Sequence, residues 1–290
     1  MTPSVSPDLN ILDESLDENR AHSCRLSILV SPGQISLVVM DIQQTRYLAA
    51  QIFRFPEPSG ADDFSRLLRE ITATDVLSWH FRDVRIYVSN RLYTLVPAPL
   101  FDPSLKESYL KFNLSGLPGD AVYLNDRLTA MDAMSVYAVP RWLKEQLTAT
   151  FGPAPLHHAI SPWIESILMG YKYTVSDPVA FIHIQAGLFD LLILGPHSVN
   201  FCNSFLYKTA EDVLYYTMFV LEQLQCAPEQ LVLHVMGEVG KNAPVIEQLG
   251  AYIPRLDFAS RNPSFSYSNP FDEIPGHYFF NLLNAVQCEL

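Results

Sequence analysis

Residues 25–56 read RLSILVSPGQISLVVMDIQQTRYLAAQIFRFP, and residues 179–207 read VAFIHIQAGLFDLLILGPHSVNFCNSFLY. Each stretch is three strand-like runs joined by tight turns. In the first stretch the runs cover 25–31, 35–42 and about 47–55, with Pro32-Gly33 as turn residues. In the second they cover 179–185, 189–194 and 198–205. A helical pattern follows each. Residues 61–79 carry Phe64, Leu67, Leu68, Ile71 and Leu77 at helical spacing. Thr209 caps a second pattern carrying Val213, Leu214, Tyr216, Thr217, Val220, Leu221 and Leu224. A short apolar run of the doubly buried kind comes next in both halves, at 83–88 and 231–236. The order β-β-β-α-β-α thus occurs twice. A strand reached through a helix after an antiparallel meander joins its sheet in parallel. The expectation is an α/β protein with two mixed sheets, each opening on a meander and superposable on the other.

Outward from those stretches, the chain divides. Pro140 opens a helix over 141–151, and Gly152-Pro153-Ala154-Pro155 reads as a linker. This places one lobe at 24–154 and the second at 155–290. A helix over 277–287 closes the chain. Residues 1–23 are rich in Pro, Ser, Asp and Glu and poor in aromatics, the composition of a mobile acidic tail.

Composition excludes several function classes. Of 290 residues, 49% are hydrophobic, enough for two buried cores. The net charge of −12 repels phosphate backbones and anionic headgroups, so nucleic acid and anionic membrane surfaces are poor partners. No apolar run approaches the roughly 18 residues that span a bilayer. The N-terminus lacks the basic and apolar regions of a secretory signal. Cys24, Cys202, Cys226 and Cys288 are far apart and form no zinc spacing, so they read as reduced, buried thiols. Together these features lead to an expectation of a cytoplasmic protein without membrane insertion and without a metal centre.

Two meanders, each followed by α/β crossovers, resemble the duplicated ribonuclease-H-like fold of actin, the Hsp70 chaperones and the sugar kinases. More narrowly, the opening LSILVSPGQISLVVMD and the ending FDEIPGHYFFNLLNAVQCEL resemble the DUF3822 family of Bacteroidetes, which is grouped with the actin-like ATPases. That resemblance implies a fold and brings no known activity.

The actin-like resemblance also implies three phosphate- and adenosine-binding motifs around a cleft, and each is degenerate here. The first hairpin, Ser31-Pro32-Gly33-Gln34, has no Asp, and Pro32 has no N–H to offer a phosphate. Only Gly33 remains of that motif. In the second, His183-Ile184-Gln185-Ala186-Gly187-Leu188-Phe189-Asp190, Gly187 and Asp190 match. His183 stands where the family keeps a metal-organising Asp, and Mg²⁺ prefers hard oxygen ligands. In the third, Gly237 sits at a strand end while Glu238 replaces the second glycine. Gly237-x-x-Gly240-Lys241 lacks the spacing and the hydroxyl residue of a P-loop. His183 reads as a hydrogen-bonded structural histidine, and Asp190 as a residue stabilising the turn and strand end.

These residues lead to an expectation of a non-catalytic scaffold or interaction protein, with Gly33, His183, Gly187, Asp190, Gly237 and Glu238 marking a decayed nucleotide cleft and no cofactor. A divergent ATPase or kinase is the alternative, and a small-ligand module using the cleft is a third reading. Aromatics such as Tyr207, Tyr215, Tyr216, Phe219, Tyr267, Tyr278, Phe279 and Phe280 exceed the needs of small cores. The excess fits a protein–protein surface, with another protein or a second copy as partner.

Overall fold

The computed structural model describes residues 6–56, 58, 60–172, 174–196 and 198–287, so residues 1–5 of the expected tail and Cys288 lie outside the described residues. The chain opens with β1 (Leu9–Leu12) and one helical turn, α1 (Glu18–Ala21). The first meander is β2 (Cys24–Ser31), β3 (Gln34–Asp41) and β4 (Arg46–Arg54), followed by α2 (Ala61–Thr72), α3 (Asp75–Ser78) and β5 (Asp83–Val88). An insertion follows, made of β6 (Tyr93–Pro97), α4 (Lys106–Asn113), β7 (Ala121–Leu128), β8 (Ala133–Pro140) and α5 (Arg141–Phe151). β9 (Leu156–His158) and α6 (Ile160–Tyr171) lead to the second meander, β10 (Val179–Gln185), β11 (Leu188–Leu194) and β12 (Val199–Leu206). α7 (Ala210–Gln223), β13 (Val232–Gly237), α8 (Pro244–Tyr252) and β14 (Arg255–Phe258) complete the second lobe. β15 (Ser266–Tyr267), α9 (Phe280–Asn284) and a closing 3-10 turn at Ala285–Gln287 end the described chain.

The duplication is plain in the strand order. The first sheet contains β4-β3-β2-β5-β9 and the second is β12-β11-β10-β13-β14. In both, the first three strands by sequence pair antiparallel and the next two join in parallel. This is the two-lobed ribonuclease-H-like arrangement. β6, β7 and β8 form a separate antiparallel sheet between β5 and β9, in the order β6-β8-β7. The sequence shows those strands without showing that they leave the main sheet.

Three expectations need correction. Part of the acidic stretch is docked: residues 9–12 pair antiparallel with 49–52 of β4, and Ile11 is buried. Asp17 caps α1 through the Arg20 N–H at 2.8 Å, and Arg20 bridges to Asp41 at 3.1 Å. Two apolar residues at alternate positions are enough for a strand, and the surrounding acidic composition hides them. The linker at 152–155 does not separate the two sheets, because β9 pairs in parallel with β5 in the first sheet. The closing helix is also shorter than its pattern, since Phe279 takes a left-handed conformation (φ 55°) and α9 begins only at Phe280.

Helix α6 joins the lobes. Its Trp163, Ile164, Ile167 and Leu168 belong to a core that runs from Leu26 and Ile28 of β2 to Phe181, Leu192 and Met236 of the second lobe. The Trp163 indole N–H points at the Met236 sulfur at 3.2 Å. The chain then returns to the first lobe, where Phe279, Leu282 and Leu283 pack on Leu29, Val38 and Met40.

Candidate functional site

The hairpin tips of the two meanders face each other across a small cavity. Gly33 (φ 68°) and Gly187 (φ 71°) take the left-handed turn positions that favour glycine. The cavity measures about 270 Å³. Gln34 and Arg54 line it from the first lobe; Ile184, Gln185, Ala186, Tyr207 and Glu238 line it from the second. Of the six expected residues, only Glu238 lines it directly. Gly33 and Gly187 adjoin it in sequence through Gln34 and Ala186.

Gly237 ends β13 against β10, opposite Ile184. Its N–H donates to the His277 carbonyl at 3.1 Å, and the His277 ring nitrogen Nε2 lies 2.8 Å from the Val239 carbonyl. The Glu238 carboxylate accepts the Phe279 N–H at 3.3 Å. The residue in place of a motif glycine therefore anchors the left-handed turn that starts α9.

His183 and Asp190 lie opposite one another on β10 and β11 and are buried. The His183 Nδ1 is 3.2 Å from Asp190 Oδ2, which also accepts from the Gln185 amide at 3.0 Å. The other Asp190 oxygen accepts the Ser204 hydroxyl. Ser204 in turn lies 3.4 Å from the Tyr93 hydroxyl, which reaches the Cys202 sulfur at 3.7 Å. Asp190 thus centres a cross-strand network inside β11, where the sequence suggested turn stabilisation. Burial pushes the Cys202 thiol up to about 12, so it is no nucleophile near neutral pH.

A second buried carboxylate, missed by the sequence reading, sits beside this network. Asp126 of β7 accepts the Ser161 hydroxyl at 2.8 Å, the His158 backbone N–H at 2.8 Å and the Tyr137 hydroxyl at 3.3 Å. Its Oδ1 is 2.9 Å from His157 Nδ1. A lone Asp in an alternating strand carries no signal for such a role. The partners come from β8, β9 and α6, which only the fold brings together.

His158 gives a testable pH dependence. Its Nδ1 accepts the Ile160 N–H at 3.2 Å, which leaves Nε2 protonated and facing the Asn90 carbonyl at 3.1 Å. Burial lowers this ring from the ordinary 6.5 to about 4, with Asp126 and Asp190 acting in opposition. The folded ring stays neutral where an unfolded histidine gains a proton. The unfolded state therefore binds more protons between pH 6.5 and 4, and stability falls as pH drops through that window. At pH 5 the loss from this residue is about 2 kcal/mol. Burial lowers His234 and His277 as well, adding the same sign. Urea unfolding at pH 7 and pH 5 should show this loss, and His158→Gln should shrink the difference by about 2 kcal/mol.

The arrangement does not fit a magnesium–nucleotide complex. Both oxygens of Asp190 are taken by the chain's own donors, and His183 is turned into the same network. Pro32 offers no amide at the first hairpin. Among the described residues, Arg54 is the one cation lining the cavity. Among the described residues, no group of three or more His, Cys, Asp or Glu could hold a metal ion.

With this geometry in hand, the chain can be placed among known proteins. The pattern of the family described as protein of unknown function (DUF3822) matches residues 13–256. The chain belongs to the DUF3822 family. No curated protein matches it in sequence. Among solved structures, it is similar to a Bacteroides thetaiotaomicron protein with an actin-like ATPase fold and unknown function. They share 17% identity at a TM-score of 0.76, over 94% of this chain and 99% of that one. It is also similar to a chain of the PilM–PilN type IV pilus biogenesis complex. That match has 14% identity and a TM-score of 0.62, over 92% of this chain and 98% of that one. At these identities the likeness shows the fold. This DUF3822 member therefore has the actin-like ATPase fold. No helix among its described residues is long and apolar enough to cross a membrane.

Proposed function

We propose that this DUF3822 protein is a non-catalytic interaction protein on an actin-like frame, working in the cytoplasm through protein partners. The observation that carries this reading is the buried His183–Gln185–Asp190–Ser204–Tyr93 network. In-line phosphoryl transfer depends on a positioned metal and oriented donors. Here His183 stands where a metal-organising carboxylate would sit, and the remaining motif carboxylate, Asp190, is consumed in holding β10, β11, β12 and β6 together. The similar PilM chain works in a complex with PilN, which supports a partner-binding use of the frame. The free thiols of Cys24, Cys202 and Cys226 fit a reducing compartment.

Thermal unfolding with and without Mg-ATP tests this. A ligand at 100 times its Kd adds about 2.7 kcal/mol. The expected result is no shift at millimolar Mg-ATP and no phosphate release. Metal-dependent turnover abolished by Asp190→Ala would make the protein an ATPase instead.

A further inference from the structure

The duplication supplies an internal comparison between two equivalent strands. β4 and β12 both close the outer edge of a meander. In the first lobe that edge is covered, because β1 pairs with residues 49–52 and β15 pairs with residues 46–47. In the second lobe β12 is the terminal strand, and among the described residues no other strand pairs with its outer side. It runs over Val199–Leu206 with a register shift that leaves Asn200 out of step with β11, and its regular part, Phe201–Leu206, contains no bulge, charge, proline or glycine. Exposed edges in natural proteins are blunted by lysine, proline or bulges within the strand, because bare N–H and C=O groups invite pairing. Here one outward N–H, that of Ser204, is capped by the neighbouring Asn203 side chain at 2.9 Å. Asn200 and Asn203 are exposed, and Leu206 is 52% exposed.

An aromatic ladder continues from this edge. Phe201 and Phe205 stack along β12, Phe205 stacks on Tyr216 of α7 at 4.9 Å, and Tyr216 meets Tyr215, which stacks on Phe219. Tyr215 and Phe219 end the ladder in solvent, 64% and 47% exposed.

We propose that β12 is a homodimerisation edge, at which two copies pair antiparallel about a two-fold axis at Asn203 and join their five-stranded sheets into one of ten strands. The strand's parity selects this register. A two-fold axis normal to the sheet keeps each face on its own side, so paired residues share parity. The outward Ser204 N–H places residues 202 and 204 among those whose backbone groups face the partner. Pairing Cys202 with Ser204 of the second copy joins those groups and sets Phe201 opposite Phe205 twice. Aromatic cross-strand pairs stabilise such ladders. A stable interface buries about 1,600 Å², more than one strand edge supplies, so the Tyr215–Phe219 side of α7 contributes the rest. Each copy carries −12, and the paired strand carries no charge. Association is therefore opposed by long-range repulsion, and salt screens that repulsion.

Sedimentation of the full chain from about 1 to 100 µM, at low and high salt, tests the proposal. The expected result is a monomer–dimer equilibrium that tightens as salt rises. Opposed residues across an antiparallel pair have Cα atoms about 4.5 Å apart, within disulfide reach. Asn203→Cys, in a chain with Cys226 and Cys288 replaced by Ser, should then form an intermolecular disulfide under mild oxidation. Asn203→Lys and Phe219→Lys should each weaken the dimer at least tenfold while leaving unchanged the melting temperature read at a concentration where every variant is monomeric. Phe112→Lys, at a 90% exposed residue on α4, should leave it unchanged. A monomer at every concentration and salt would overturn the proposal, even if β12 captures an extended strand of another protein. So would a dimer indifferent to Asn203→Lys, or one that Phe112→Lys disrupts.

Discussion

Gly237→Ala is expected to destabilise the protein by on the order of 4 kcal/mol or to prevent its folding. A methyl group there would sit 2.0 Å from the Ile184 carbonyl oxygen, and the residue's φ is 102°. That oxygen belongs to the backbone of β10, the central strand of the second sheet, so it cannot swing aside. The left-handed conformation adds strain of its own for a residue with a Cβ. Gly250→Ala in α8 is the matched control. Nothing lies within 4 Å of its added methyl, and alanine favours a helix by about 0.5–1 kcal/mol. Urea denaturation of both variants should give opposite signs. A mild Gly237→Ala phenotype would mean that β13 does not press on β10 as described. The outcome also bears on function. The one glycine retained from the adenosine motif is needed by the fold whether or not a nucleotide ever binds.

Asp126→Ala should cost about 3–5 kcal/mol, with Asp126→Asn in between. The carboxylate is buried and accepts from Ser161, Tyr137 and the His158 backbone, with His157 beside it. Alanine strands the Ser161 hydroxyl and the His158 N–H without a partner. Tyr137 suffers less, because its hydroxyl also reaches the Leu156 carbonyl at 2.7 Å. The inserted sheet is tied to the first lobe through this residue. The variant should therefore also speed amide exchange in β7 more than in β10. Uniform loosening of both lobes would count against Asp126 as the local tie.

Much of the fold is legible in the sequence because its signals are local and repeated. Alternation and turn chemistry mark the meanders, and the capping box of Thr209 and Asp212 marks the start of α7. The docked segment at Leu9–Leu12 and the placement of β9 are not legible, because both depend on a distant strand edge. The candidate site divides in the same way. Gly33, Gly187 and Gly237 can be read from the chain because glycine at a turn or strand end has a backbone reason. Arg54, Tyr207 and Asp126 matter only through what long-range packing sets beside them. Tyr207 donates to the Gln185 carbonyl 22 positions away at 2.7 Å, a contact no pattern announces.

The return of the chain to its first lobe has a consequence for how the protein is made. The first sheet has its five main strands once residue 158 is synthesised. One face of it, carrying Leu29, Val38, Met40 and Tyr87, is covered by Phe279, Leu282 and Leu283, which emerge more than a hundred residues later. At 5–20 residues per second the nascent lobe waits on the order of ten seconds with that face open. The second lobe, whose own core lies within 180–258, has no such wait. The half that begins first on the ribosome is the half that finishes last. Truncation just before Phe279 should therefore damage the N-terminal lobe more than the C-terminal one.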